Sequence, residues 1–443
     1  MTIQKIKCYQ TDYRKNEYFL DVTDKQKSIK TDGPFTTIYL NPNRKKQRII
    51  GFGGAFTESA SYVYYNSDHE TKKRIIEGYF GQDGLRYNLG RLSVHSCDFS
   101  LNSYTYIEEC DESLNSFTIE REKIYVLPFV KAAKTLQPDL QLMAAPWSPP
   151  AFMKTNGRMN YGGKLKEEYY PLWAGYLIKY LEEMKKHGHE IEYLSIQNEP
   201  EAVQVWESCI YTPKEAIAFA KVLGPLLKEK GFRQTKVILL DHNRDLIAKW
   251  MEGIAEDPEV LPWIWGIGIH WYVSEDFDKV ALIKETIPSL HVIFTEGCQE
   301  GGVRLGSIQT GERYARNIIG DFTRGCEGFI DWNLVLDEHG GPNHVGNFCD
   351  APMIVKDNQV IFKSSYYYIG HFSKFLLPSA FVIDSMVSDK DLSVLAGVNP
   401  DGRIVVVILN ETDRNTAYQI AINNQKIDGF IPAHTIQTWC LDE

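Results

Sequence analysis

Two glutamates leave apolar runs in the same manner. Ser195-Ile196-Gln197-Asn198-Glu199-Pro200 follows Ile191-Glu192-Tyr193-Leu194, which reads as a buried strand, and His291–Gly297 (HVIFTEG) brings Glu296 to a second exit of the same kind. A carboxyl group at a strand's end, here with an amide beside it in Asn198, is placed to stay partly dry. Two such carboxyls facing one bond suit cleavage of a glycosidic linkage. One protonates the leaving oxygen; the other attacks the anomeric carbon or activates a water. A separation of about 5–5.5 Å gives retention and about 6.5–9.5 Å inversion, and at this point the residues allow either.

The elements that must position these acids are short apolar runs alternating with helical patterns. Eight runs read as strands: 49–56, 85–94, 140–145, 193–197, 236–240, 266–270, 291–295 and 328–334. Room for a helix separates most of them, so the expected fold is a (β/α)8 TIM barrel over residues 46–375. The competing doubly wound sheet is less suited, because Gly51-Phe52-Gly53-Gly54-Ala55-Phe56 lacks the last glycine of a dinucleotide fingerprint and any P-loop lysine. Glycines there suit close packing of the first strand inside a barrel. Tyr169, Leu172, Trp173, Tyr176, Leu177, Tyr180, Leu181 and Met184 form one apolar helical stripe, stopped at Lys185-Lys186-His187-Gly188. Thr212-Pro213 reads as an N-cap followed by proline at the first helical position of a helix reaching about Lys230.

Functional groups of such a barrel collect where strands end. The exits hold Asp98 in Ser96-Cys97-Asp98-Phe99, Trp147 in Pro146-Trp147-Ser148-Pro149-Pro150, Asn198 with Glu199, His270-Trp271-Tyr272, Glu296, and Asp331-Trp332-Asn333. Acids, amides and aromatic faces on one rim suit a neutral polyhydroxylated ligand. Each residue also has a plainer use. Trp147 and Trp332 could be core, Asp98 and Asp331 could tie down strand ends, and a histidine such as His270 is more often structural than a ligand. Glu58, His95, Asp241 and His242 lie near strand ends and could line the mouth, with no chemistry assigned.

The two ends of the chain differ from the middle. Runs at 393–398, 403–410, 417–422 and 435–440 are separated by turns, the strongest being Asn399-Pro400-Asp401-Gly402, and no helix pattern intervenes. Runs at 17–22 and 35–40 could pair with them. The expectation is a small antiparallel β-sandwich side domain built from residues 1–45 and 376–443. The basic stretch 43–48 (NRKKQR) reads as a solvated loop.

At 443 residues the chain can bury a large core, and a net charge of −10 argues against a nucleic-acid partner. No run approaches the length of a membrane span. The eight cysteines are scattered without a C-x-x-C pair, so neither a zinc site nor a disulfide framework is expected. No H-E-x-x-H is present, and no metal or cofactor is expected. The opening MTIQKIKCYQTDYRKNE has no apolar signal core, so the reading is a cytoplasmic protein, although signal-independent export leaves the same sequence.

The motifs taken in order resemble glycoside hydrolase family 30, in particular its glucosylceramidase branch and bacterial relatives. They are GFGGAFTES (51–59), SCDFS (96–100), APWSPPAFMKTN (145–156), QNEP (197–200), HWY (270–272), TEG (295–297), DWNL (331–334) and GGPNHVGNFCD (340–350). The resemblance implies a retaining β-glucosidase with Glu199 as acid/base and Glu296 as nucleophile. It implies that Asn198 bonds the sugar 2-hydroxyl and that Asp98, Trp147 and Trp332 grip the glucose. His270 and Tyr272 would support the nucleophile's side, Asn347 would face the aglycone, and the substrate would be a small glycoside or a glycolipid. His344 and Gly346 depart from the bulkier or charged residues of the lysosomal branch beside Asn347. A β-1,6-glucanase, a β-xylosidase or a β-fucosidase would use the same mechanism, and a catalytically silent glycan-binding protein is the reading from another class. For general acid work, burial and the charge of Glu296 should raise the pKa of Glu199.

Overall fold

Eight parallel strands close into a barrel in the computed structural model, which describes residues 3–29 and 35–442. They are β1 (Gly51–Ala55), β2 (Leu89–Val94), β3 (Gln141–Pro146), β4 (Tyr193–Ser195), β5 (Lys236–Asn243), β6 (Gly266–His270), β7 (His291–Glu296) and β8 (Gly328–Asn333). Each pairs with its sequence neighbour, and β8 pairs with β1. All eight runs expected from the sequence are strands. Gly53 shows why β1 is so rich in glycine: a Cβ there would stand 2.0 Å from the Leu89 carbonyl oxygen on β2.

The lower barrel interior is an apolar cluster of Leu89, Met143, Tyr193, Ile238, Ile293 and Ile330, so the barrel is a packed core with no open pore. Two residues further along a strand the same face turns polar. Arg91 follows Leu89 and Thr295 follows Ile293, both buried. The expected helices also form. Helix α1 (Tyr170–Lys186) ends at His187, with Gly188 at φ 81°, and α2 (Pro213–Glu229) begins with a reciprocal capping box between Thr212 and Glu215.

Both ends of the chain enter one nine-stranded sheet. Lys5–Asp12 runs antiparallel to Thr435–Asp442, and Thr36–Arg48 lies between Thr416–Ile422 and Phe381–Val387. The strands Lys5–Asp12, Phe381–Val387 and Gln425–Ile431 were not among those expected. The basic stretch 43–48 is a strand end and not a free loop. Its alternating cations reach Asp384, at 3.1 Å from Arg44 and 3.2 Å from Lys46, while Gln47 donates to the carbonyls of Phe322 and Cys326. The stretch thereby joins the sheet to the end of the helix before β8 (Ile308–Thr323). A further three-stranded sheet (Val335–Asp337, Met353–Lys356, Gln359–Phe362) follows β8 and anchors the loop that carries Asn347. Among the described residues no helix is long and apolar enough to cross a membrane.

Candidate active site

β4 ends in a turn that forces Glu199 into the left-handed region, at φ 48°. Two backbone bonds hold it there: Asn198 N–H donates to Pro146 O at 2.8 Å and Glu199 N–H donates to Asp241 O at 3.0 Å. On β5 a bulge between Leu240 and His242 breaks the strict alternation of faces, with Leu240 and Asp241 both at positive φ. A bulge re-aims side chains. Consecutive residues Asp241 and His242 therefore both turn toward the barrel mouth. A second irregularity, between Phe294 and Glu296 on β7, presents Glu296.

Glu199 and Glu296 line one cavity of about 290 Å³ together with Asp98, Trp147, Asn198, Tyr272, Trp332 and Asn347. Of the residues to which the family resemblance gave a role, His270 alone does not line the cavity; it is fully buried behind Glu199. Trp147 and Trp332 stack with ring centroids 5.3 Å apart and form one aromatic wall.

The two glutamates have unlike partners. Glu296 accepts from the Arg91 guanidinium through Oε2 and from the Tyr272 hydroxyl at 2.9 Å through Oε1. The same guanidinium reaches Asn198 Oδ1 at 2.8 Å and Asp241 Oδ2 at 2.9 Å, so a single cation orients the amide and two carboxylates. Thr295 donates to Asp241 at 2.5 Å. Glu199 instead faces His270 Nδ1 at 3.2 Å, and His270 Nε2 faces Asp241 Oδ1 at 3.1 Å. His270 therefore bonds the side of Glu199, where the sequence reading had set it beside Glu296. The reason is topological: β6 hydrogen-bonds to β5, whose bulged Asp241 takes one ring nitrogen and turns the other toward β4. Asn347 lines the cavity and donates to Asp98 Oδ2 at 2.8 Å, so it stands on the wall that carries Asp98.

Charge follows this wiring. Burial pulls His270 down, but the charge of Glu296 and hydrogen bonds to Asp241 and Glu199 push it up to about 9. Both ring nitrogens face carboxylate oxygens, so the imidazolium donates to both. Glu199 does not show the raised pKa expected of it. Burial raises it, but the hydrogen bond from His270 and the surrounding positive charge carry it below the usual range. Burial pushes Glu296 above its usual range against the pull of Arg91 and His270. Asp98 is raised to about 7 by burial and by the charge of Glu296. Asp241 is held well below the ordinary range despite its burial, chiefly by Arg91.

Arg91 and Asp241 connect the whole site, and sequence reasoning gave neither a role. Arg91 lies inside β2, away from the strand end, and its one signal is a lone cation in the run Leu89-Gly90-Arg91-Leu92. Asp331 is a strand tie: it accepts from Tyr314 at 2.6 Å and is buried. Glu58 pairs with Arg121 at 2.8 Å. His344 faces Glu207 at 3.6 Å and Ser100 O at 3.0 Å, pinning the Asn347 loop to the exit of β2.

Residues 49–376 match the family model described as the glycosyl hydrolase family 30 TIM-barrel domain, and residues 380–439 match that family's beta sandwich domain. This chain belongs to glycoside hydrolase family 30. Within the family it is similar to the lysosomal acid glucosylceramidase of Mus musculus, 33% identical over 86% of this chain and 78% of the mouse protein. The crystal structure of SrfJ from Salmonella typhimurium superposes with a TM-score of 0.95 at 35% identity, covering 99% of this chain and all of that one. A solved endo-β-1,6-glucanase follows at 25% identity and a TM-score of 0.87, covering 99% of this chain and all of that one. The family-30 chain is a glycoside hydrolase, and its substrates are glycosides.

Proposed function

We propose that this family-30 enzyme is a retaining β-glucosidase of the glucosylceramidase type, with Glu296 as nucleophile and Glu199 as acid/base. One observation carries the reading: the two glutamates converge on a single cavity with opposite wiring. Glu296 is oriented by a cation and a phenol, as an attacking carboxylate requires. Glu199 is coupled to a proton store. In the resting site that proton sits on His270 Nδ1, 3.2 Å from Glu199 Oε1, and reaches the leaving oxygen through Glu199.

The cycle then resets itself. The charge of Glu296 is the largest upward pull on His270. Attack on the anomeric carbon converts Glu296 into a neutral ester, so the His270–Glu199 pair releases its proton more readily. The pair, now deprotonated, can accept one from the water that cleaves the ester. Asn198, held by Arg91, is set to bond the sugar 2-hydroxyl. Trp147 and Trp332 give the ring an apolar wall, and Asp98 with Asn347 meets its outer hydroxyls.

The mouth supports an apolar aglycone. Val203, Val205, Val273 and Phe348 are exposed by 59%, 54%, 66% and 42%. All four adjoin cavity residues on the loops that follow β4, β6 and β8. Incubation with a 2-fluoro-glucoside bearing a good leaving group should trap a glucosyl ester on the peptide containing Glu296. A label on Glu199, or turnover of an ordinary aryl β-glucoside with no label at all, would refute the assignment. The likeness to the endo-β-1,6-glucanase favours β-1,6-glucan as the second reading. Faster release of glucose from that polymer than from a glucosyl lipid would establish it.

A further inference from the structure

His242 stands beside Glu199 with nothing to bond. The β5 bulge turns it to the cavity, its side chain is only 9% exposed, and its Nδ1 is buried without a hydrogen-bond partner, 3.9 Å from Glu199 Oε1. His270 Nδ1 lies 3.2 Å from that same oxygen. The carboxylate oxygen and the two ring nitrogens all fall within 4.8 Å of one another. In a tetrahedral site with bonds of about 2.0–2.1 Å, neighbouring donors stand roughly 3.3 Å apart. One edge of the triangle already has this length, and a small turn of the His242 ring shortens another.

We propose that Glu199, His242 and His270 form an inhibitory site for a first-row divalent cation of the Zn2+ or Cu2+ type. Two imidazoles and one carboxylate make a donor set such cations favour. His270 presents its other nitrogen, Nε2, to Asp241 Oδ1 at 3.1 Å, the carboxylate–histidine pairing that steadies a ligating ring. The remaining coordination position opens to the cavity and takes a water. The cation displaces the proton between His270 and Glu199 to solvent and ties up the oxygen that must serve the leaving group. It therefore stops hydrolysis.

The test uses the whole enzyme and the metal alone. One equivalent of Cu2+ should give an electron paramagnetic resonance spectrum with hyperfine splitting from two imidazole nitrogens. Zn2+ should inhibit hydrolysis of an aryl β-glucoside, with recovery on adding EDTA. His242→Asn should weaken that inhibition, measured against the variant's own metal-free rate, by at least about tenfold, the smallest loss typical of disturbing a metal site. A Cu2+ spectrum showing one nitrogen or none overturns the proposal, as does equal Zn2+ inhibition of the variant. Sulfur ligation by Cys298 and Cys349, whose thiols also line the cavity, would overturn it too. The resonance measurement needs no substrate, so its failure is separable from failure of the glucosidase reading.

Discussion

His270 donates to Glu199 across 3.2 Å while its far nitrogen donates to Asp241 across 3.1 Å, so one imidazolium bridges a carboxylate that lines the cavity and one that does not. This sets the shape of the pH profile. His270 is raised to about 9, so the proton it stores is present below that pH and is lost as pH rises through it. Glu296 is raised above the usual carboxylate range and must ionise to attack, so activity is lost as pH falls through that raised value. The profile of kcat/KM should be a bell with its alkaline limb near about 9. His270→Asn should move that limb acidward, because the proton store is gone; an unmoved limb would remove His270 from the reaction.

Glu296→Gln should abolish turnover of every β-glucoside. Glu199→Gln should lower kcat by about 100-fold to 10,000-fold for poor leaving groups and far less for a dinitrophenolate, which departs without protonation. Equal losses across a leaving-group series would contradict the acid role of Glu199.

Arg91 is the only cation in direct contact with both Glu296 and Asp241 among the described residues, and it is buried. Arg91→Met takes the guanidinium from two buried carboxylates and leaves His270 as the cation beside Asp241. Loss of a buried partner costs about 3–5 kcal/mol, which urea denaturation will detect. Glu296 should also become harder to ionise, so any residual activity should show its acidic limb at higher pH.

Lys363 and Asp350 form a second buried pair, with both carboxylate oxygens within 3.0 Å of Nζ. Asp350 ends the loop that begins at Gly340 and carries Asn347. Lys363→Met should destabilise the fold by about 3–5 kcal/mol and raise KM more than it lowers kcat, as the proposed substrate-binding role of Asn347 requires. A purely catalytic loss at unchanged stability would contradict this role.

The barrel is legible in the sequence because each strand is a short apolar run whose polar exit marks the functional rim. Glu199, Glu296, Asn198, Tyr272, Trp147 and Trp332 sit on those exits and could be named from position alone. The wiring between them could not. Arg91 lies inside its strand, three residues before the strand ends at Val94. Asp241 and His242 are neighbours that strict alternation sends to opposite faces, and only the bulge brings them together. The lowered pKa of Glu199 is not legible in the sequence either, because its partner His270 comes from a strand 71 residues away. In the side sheet, Lys5–Asp12 (KIKCYQTD) does not stand out as a strand because its buried half is polar: Gln10, Thr11 and Asp12 are all buried.

The nine-stranded sheet joins the two ends of the chain, and Ile3 N–H bonds the Gln425 side chain 422 residues away. At about 5–20 residues per second, the first strand emerges from the ribosome roughly 20–80 s before its partner exists. Throughout that interval it is an open edge able to pair with other chains. Lys5 and Lys7 are exposed on that strand, and charged side chains of this kind disfavour edge-to-edge pairing between chains.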